Sequence, residues 1–164
     1  MHCSLARSIE VMGDWWTPLI LRDLYLGLTR FDDLVENLAI SRNLLTQRLA
    51  ALVERGLVER RRYSERPPRD AYGLTPSGVE LVPVLLALTA WGDRWMASKH
   101  GPPMRFAHQA CGEFFTPEVV CSHCREPIDA GAVVAHGGPG GRVGPGTRLI
   151  AKVLRQRKRS PDSV

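Results

Sequence analysis

The residues best suited to chemistry in this 164-residue chain are its four cysteines and the histidines near them. Cys121 and Cys124 form a CxxC pair, and His108 and Cys111 repeat the same spacing upstream. Thiolate sulfur and imidazole nitrogen are favoured Zn²⁺ donors, and two such pairs make a closed Cys3His tetrahedron of the structural kind. Gly112 supplies the sharp turn that such a knuckle needs. His123 is a rival fourth ligand, awkwardly placed between two Cys ligands. A CxxC is also read as a reduced thiol pair without metal, since the motif alone fits metal or redox chemistry. Cys3 stands apart. Arg7, one helical turn on, would favour its thiolate and hence reactivity towards oxidants, with an inert thiol as the alternative.

A second group of residues could read nucleic acid. Ser41 is a good N-cap for a helix running to Arg55, with Gly56 as its stop. Leu45, Leu49 and Leu52 fall on one arc of that helix and predict a core face. Asn43 and Gln47 point the other way, beside Thr46, with Arg42 and Arg48 on the flanks. Asn and Gln pair with adenine in the major groove and Arg with guanine, while a helix N-terminus holds phosphate.

The elements that must position these residues follow from the punctuation. Short helices are predicted over Ser4 to Met12, from Thr17-Pro18 to Gly27, and from the capping pattern Thr29-Arg30-Phe31-Asp32 to Leu38. Ala39-Ile40 is a tight connection to the helix at Ser41. After Gly56 come strands at 57–63 and 69–74 around a tip with Pro67 and Pro68, then a long helix from Thr75-Pro76 to about Ser98. Two short helices, a tight turn and a basic hairpin, the wing at 57–74, make a winged helix-turn-helix. The expected fold is mainly α with a small β-hairpin, plus a small zinc-ribbon-like C-terminal segment. The expected divisions are a DNA-binding and dimerisation domain at 1–99, a Cys/His appendage at 104–135, and a Gly/Pro-rich linker with a basic tail at 136–164.

The charge is segregated. The formal net charge is +5. Its whole excess lies in the tail, with Arg148, Lys152, Arg155, Arg157, Lys158 and Arg159. Within the neutral remainder, residues 41–75 carry eight arginines against Glu54, Glu59, Glu65 and Asp70, a net of +4, whereas residues 1–40 carry −3. Arg62, Arg66 and Arg69 of the hairpin are the expected phosphate contacts.

These motifs resemble the HxlR family of bacterial transcriptional regulators, relatives of the MarR type. The resemblance covers about residues 3–98. It rests on Cys3, Gly13-Asp14-Trp15-Trp16-Thr17, Arg30-Phe31-Asp32-Asp33-Leu34 and Leu44-Leu45-Thr46-Gln47-Arg48-Leu49. It continues through Tyr63-Ser64-Glu65-Arg66-Pro67-Pro68-Arg69, Leu74-Thr75-Pro76-Ser77-Gly78 and Trp91-Gly92. Trp15 and Asn43 depart from residue types common in the family, which leaves the base preference open. The resemblance implies a homodimer on double-stranded DNA with two half-sites, and a reactive N-terminal cysteine in some members. A stripe of Leu85, Leu88, Trp91 and Trp95 suits the dimer contact. The alternative function is a redox- or metal-responsive sensor that takes an oxidant or small-molecule effector through Cys3 or the zinc site.

Other classes lack support. No Ser/His/Asp arrangement, phosphate-binding loop or open metal site points to an enzyme. No apolar run approaches the roughly 18–20 residues of a membrane span, and Met1-His2-Cys3-Ser4-Leu5 lacks the apolar core of a signal peptide. The expected location is cytoplasmic. The tail stretch from Leu149 to Arg155 has helical spacing, but nothing in the sequence orders it, and it reads as a mobile basic arm.

Overall fold

The computed structural model describes residues 3–66 and 68–157. Pro67 at the wing tip, and Lys158 and Arg159 of the tail, lie outside the described residues. The chain falls into two compact units, Asp14–Val120 and Met1–Gly13 with Cys121–Val164.

The larger unit begins with α2 (Trp16–Tyr25), since α1 (Ser4–Met12) belongs to the other. Thr17-Pro18 opens this helix only in part. The cap is Asp14, whose Oδ1 accepts from the amides of Trp16 and Thr17 at 2.8 and 3.0 Å. The Thr17 hydroxyl donates to Asp14 Oδ2 at 3.0 Å, so Thr17 is a buried partner of the cap. Next come α3 (Phe31–Leu38) and α4 (Arg42–Glu54). The N-cap of α3 is Arg30, without a side-chain cap bond, and the Thr29 carbonyl before it accepts from the Tyr72 amide of the wing at 2.8 Å. Asp32 and Asp33 occupy the first turn of α3, where its dipole favours acids.

Ser41 caps α4, accepting from the Leu44 amide at 3.3 Å. A Schellman motif ends the helix. The Leu57 amide donates to Leu52 and the Gly56 amide to Val53, both at 3.0 Å, with Gly56 at φ +70°. The wing is β1 (Val58–Glu65) antiparallel to β2 (Pro68–Leu74), slightly longer than the spacing predicts. A register shift between Arg62 and Ser64 leaves Tyr63 as the extra residue. A bridge from Arg30 to Ala71 adds a third, minimal strand.

The core is one apolar cluster. Ile20, Leu21 and Leu24 of α2 meet Leu34 and Leu38 of α3, and Leu45, Leu49 and Leu52 of α4, with Ile40, Leu57, Val58 and Val82. The buried carboxylate of Asp23 is fully used. It accepts from Arg22 Nε and Nη2 at 2.8 and 2.7 Å, and from Asn37 Nδ2 at 2.6 Å. A buried charge persists only when paired and hydrogen-bonded in this way. These bonds tie α2 to α3.

The single long helix expected after Thr75 is two helices, α5 (Pro76–Glu80) and α6 (Val82–Trp95), joined at Leu81. Pro83 has no amide to donate to Val79, and its ring would crowd that carbonyl. It is tolerated because it sits in the first turn of a new helix. Thr75 caps α5 by accepting from the Gly78 amide at 3.2 Å. After α6 a small hairpin pairs the two-residue strands β3 (Phe106–Ala107) and β4 (Phe114–Phe115).

In the smaller unit, α1 is followed in sequence by the second Cys pair, a short 3₁₀ turn at Ala130–Ala132 and α7 (Arg148–Arg157). The helical spacing read in the tail matches α7. Residues 148–157 are helical, with Leu149, Ile150 and Val153 exposed. Among the described residues no helix is long and apolar enough to cross a membrane.

Gly78 is where packing tolerates no side chain. A Cβ there would lie 2.2 Å from the Leu57 carbonyl oxygen, a backbone atom that cannot step aside. Gly78→Ala is expected to lower the unfolding free energy by about 1–3 kcal/mol, read from urea denaturation of the full chain.

Candidate nucleic-acid interface

The face of α4 opposite the core carries Asn43, Thr46 and Gln47, all exposed. Asn43 and Gln47 stand one turn apart, so both amides line one edge of the helix. The Thr46 hydroxyl is committed to its own helix, donating to the Arg42 carbonyl at 2.8 Å. Arg42, at the helix start, donates to Asp32 Oδ1 at 2.6 Å, and its guanidinium lies 4.9 Å over the Phe31 ring.

Arg48 has a different setting. Its Nε lies 3.3 Å from Asp14 Oδ2 and is buried without a hydrogen-bond partner among the described residues. The side chain joins the middle of α4 to the cap of α2, beside the core rather than on the exposed edge with Asn43 and Gln47. Sequence spacing placed it on a flank but gave no sign of Asp14 as its partner, because 34 residues of chain separate them.

The wing presents two faces. Arg60 and Arg62 lie two residues apart on one face of β1, opposite Tyr72 and Asp70 of β2. Asp70 takes both: it pairs with Arg60 Nη2 and, at 3.4 Å, with Arg62 Nε. The Arg60 hydrogen bond is the main reason that the Asp70 carboxyl sits below its ordinary range and the Arg60 guanidinium above its own. Burial pushes the Tyr72 hydroxyl up. Arg61 turns to the other face and pairs with Glu59. Arg66 and Arg69 are exposed and show no ion pair among the described residues.

A groove runs between the starts of α3 and α4 and the wing. Arg30, Arg42, Arg60 and Arg69 line it, with Asp32 and Asp70. Arg30 and Arg60 are residues that the sequence reading did not name as DNA contacts. The two-residue alternation along β1 was a usable signal for Arg60, since it shares a face with Arg62.

The cysteine segments form two turns with one hydrogen-bond pattern. In the larger unit the His108 amide donates to Glu113 at 2.8 Å, the Gly112 amide to His108 at 2.7 Å, and Gly112 has φ +76°. In the smaller unit the Cys121 amide donates to Glu126 at 2.9 Å, the Arg125 amide to Cys121 at 2.9 Å, and Arg125 has φ +66°. Cys111 Sγ lies 3.5 Å from His108 Nδ1. The amides of Cys124 and His123, with the Cys124 side chain, hold the Cys121 thiol below its ordinary range. These residues come together as pairs. Among the described residues no group of three or more His, Cys, Asp and Glu side chains is gathered to hold a metal. Cys3 caps α1 without a side-chain bond, and the Arg7 guanidinium donates to Ser4 Oγ at 3.3 Å.

A capped helix with one face in the core and amides on the other, next to an arginine-bearing wing, is the architecture of a winged helix-turn-helix. The family model described as HxlR-like helix-turn-helix matches residues 11–100. The chain belongs to the HxlR family. HxlR membership agrees with an uncharacterized HTH-type transcriptional regulator of Mycobacterium tuberculosis, 42% identical over 137 residues, or 84% of this chain and 87% of the relative. The crystal structure of PA1607, a proposed transcription factor, superposes with a TM-score of 0.73 at 31% identity, covering 81% of this chain and 93% of that one. HypR, a redox regulator solved in its reduced form, superposes with a TM-score of 0.53 at 28% identity, covering 56% of this chain and 92% of its own. This HxlR chain is therefore a transcriptional regulator with a DNA-binding helix-turn-helix.

The contrast between neighbours on α4 can be measured. Arg48→Ala is expected to lower the unfolding free energy by about 0.5–1 kcal/mol, as for a partly exposed ion pair. Gln47→Ala should shift it by less than about 0.5 kcal/mol. Urea denaturation of the two variants separates a packing role from a surface role.

Proposed function

We propose that the chain binds a two-half-site operator as a homodimer, with α4 in the major groove and the wing on the flanking backbone. The observation that carries this reading is the exposed Asn43–Gln47 edge on a helix whose opposite face is buried. Asn43, Gln47 and Arg42 read base edges, Arg62, Arg66 and Arg69 meet phosphates, and Ser41 fixes the helix start. Arg48 acts behind this surface by holding α4 to α2. Footprinting on genomic fragments across a salt series tests the reading. A protected site of two half-sites about one helical turn apart is expected, with affinity falling steeply as salt rises. Asn43→Ala and Gln47→Ala should relax base preference at single positions, at about 1–3 kcal/mol each.

The dimer contact is assigned to α6. Leu88 and Trp91 are each 54% exposed and Trp95 is 70% exposed, with Leu85 half-buried beside them. Monomers seldom leave such a stripe in water. Trp91→Asp is expected to yield a monomer in analytical ultracentrifugation and to weaken operator binding at least about tenfold, since two half-sites no longer act together.

We infer further that His108, Cys111, Cys121 and Cys124 hold a structural Zn²⁺. The support is the donor set and the matching hydrogen-bond pattern of the two turns, each considered alone. A zinc ion would replace the apolar core that this short segment lacks. One zinc per chain is expected by elemental analysis of protein purified without added metal, falling by most of its value in Cys111→Ser. A second reading, favoured by the likeness to HypR, makes the regulator responsive to oxidants through Cys3 or the zinc thiolates. Oxidant should then release DNA from the parent protein and not from Cys3→Ser if Cys3 is the sensor.

A further inference from the structure

Three arginines on the proposed DNA-binding face, Arg42, Arg60 and Arg62, are already engaged. Asp70 holds Arg60 and, together with Glu65 Oε2 at 3.7 Å, Arg62 on one face of the wing, and Asp32 holds Arg42 at the start of α4. Both acids border the same groove between α3, α4 and the wing. These carboxylates offer guanidinium groups the same planar pair of oxygens that a phosphate offers.

We propose that Asp70 and Asp32 are specificity-determining residues that position the DNA-facing arginines and hold down affinity for DNA of arbitrary sequence. The inference rests on the DNA-binding reading above. A guanidinium has five donors, so an arginine can keep its carboxylate and still give its remaining N–H groups to a phosphate. The carboxylate then fixes where that phosphate must lie. A duplex in the fitted register supplies one there, while Asn43 and Gln47 add base contacts. A loosely docked duplex does not, and binds through phosphate contacts almost alone. The internal acids thus weaken the wrong complexes more than the right one, a repulsive element working for selectivity. The Arg60 hydrogen bond holds the Asp70 carboxyl below its ordinary range, which favours the charged form that the pairing needs.

The test uses the full-length protein, a mixed-sequence 30-bp duplex, and a library of random duplexes. Asp70→Asn is expected to bind the mixed-sequence duplex about fivefold or more tightly near 100 mM salt, with a log–log salt slope steeper by about 1–2. Asp32→Asn, which frees one arginine outside the wing, should steepen the slope by about 1. After selection from the random library, either variant should enrich its leading sequence less than the parent does. Glu80→Gln removes an exposed acid on α5 and controls for net charge. If both aspartate variants match Glu80→Gln in affinity and slope, the inference is overturned. Should Asp70→Asn lose its folded circular dichroism, Asp32→Asn decides alone. A parent protein with no salt-dependent binding to any duplex would refute the DNA-binding reading itself, and this inference with it.

Discussion

The burial of one face of α4 is the constraint on which the rest of this structure depends. Leu45, Leu49 and Leu52 are almost wholly inaccessible, and they fall on one arc of a helix only 13 residues long. Three buried leucines are worth several kcal/mol of transfer free energy together. No rotation of the helix keeps them covered and turns Asn43 and Gln47 inwards. The packing of a small core therefore decides which side chains DNA can meet. Ser41 fixes where the helix starts, and the Schellman turn at Gly56 fixes where the chain leaves for the wing.

Polar contacts then hold α4 at a set angle to its neighbours. Asp14 caps α2 and faces Arg48 of α4, while Asp23 ties α2 to α3 through Asn37. The wing is held at its base and its middle. Its base is pinned where the Thr75 amide donates to the Leu57 carbonyl and Gly78 packs against that same oxygen. Its middle is pinned where Tyr72 donates to Thr29 ahead of α3. Helix and wing thus share one frame, which a two-part grip on a duplex requires.

Much of this was legible in the sequence because it is local. The caps at Ser41 and Thr75, the stop at Gly56 and the leucine arc of α4 are each set by residues within a few positions of one another. The family resemblance through residues 3–98 rests on the same local motifs, and the family match, over residues 11–100, bears it out from residue 11 onwards. The cap of α2 is local too, Asp14 lying three residues before Thr17, whereas the Thr29 carbonyl is taken by a distant partner, the Tyr72 amide of the wing. The break at Leu81 was also local and readable, since Pro83 cannot continue a helix begun at Pro76.

The charge pattern shows the boundary between the two sources. By itself the sequence determined that residues 41–75 carry a net positive charge, that Asn43 and Gln47 share a helix edge, and that a His/Cys pair and a Cys/Cys pair of equal spacing precede the tail. Composition and periodicity suffice for these, as they depend on neighbours along the chain. Only the tertiary structure decided which arginines are committed: Arg48 to Asp14, Arg42 to Asp32, and Arg60 and Arg62 to Asp70. Ion pairs form between side chains that folding brings within about 4 Å, whatever their separation in sequence. A count of charges cannot show which cations already have a partner.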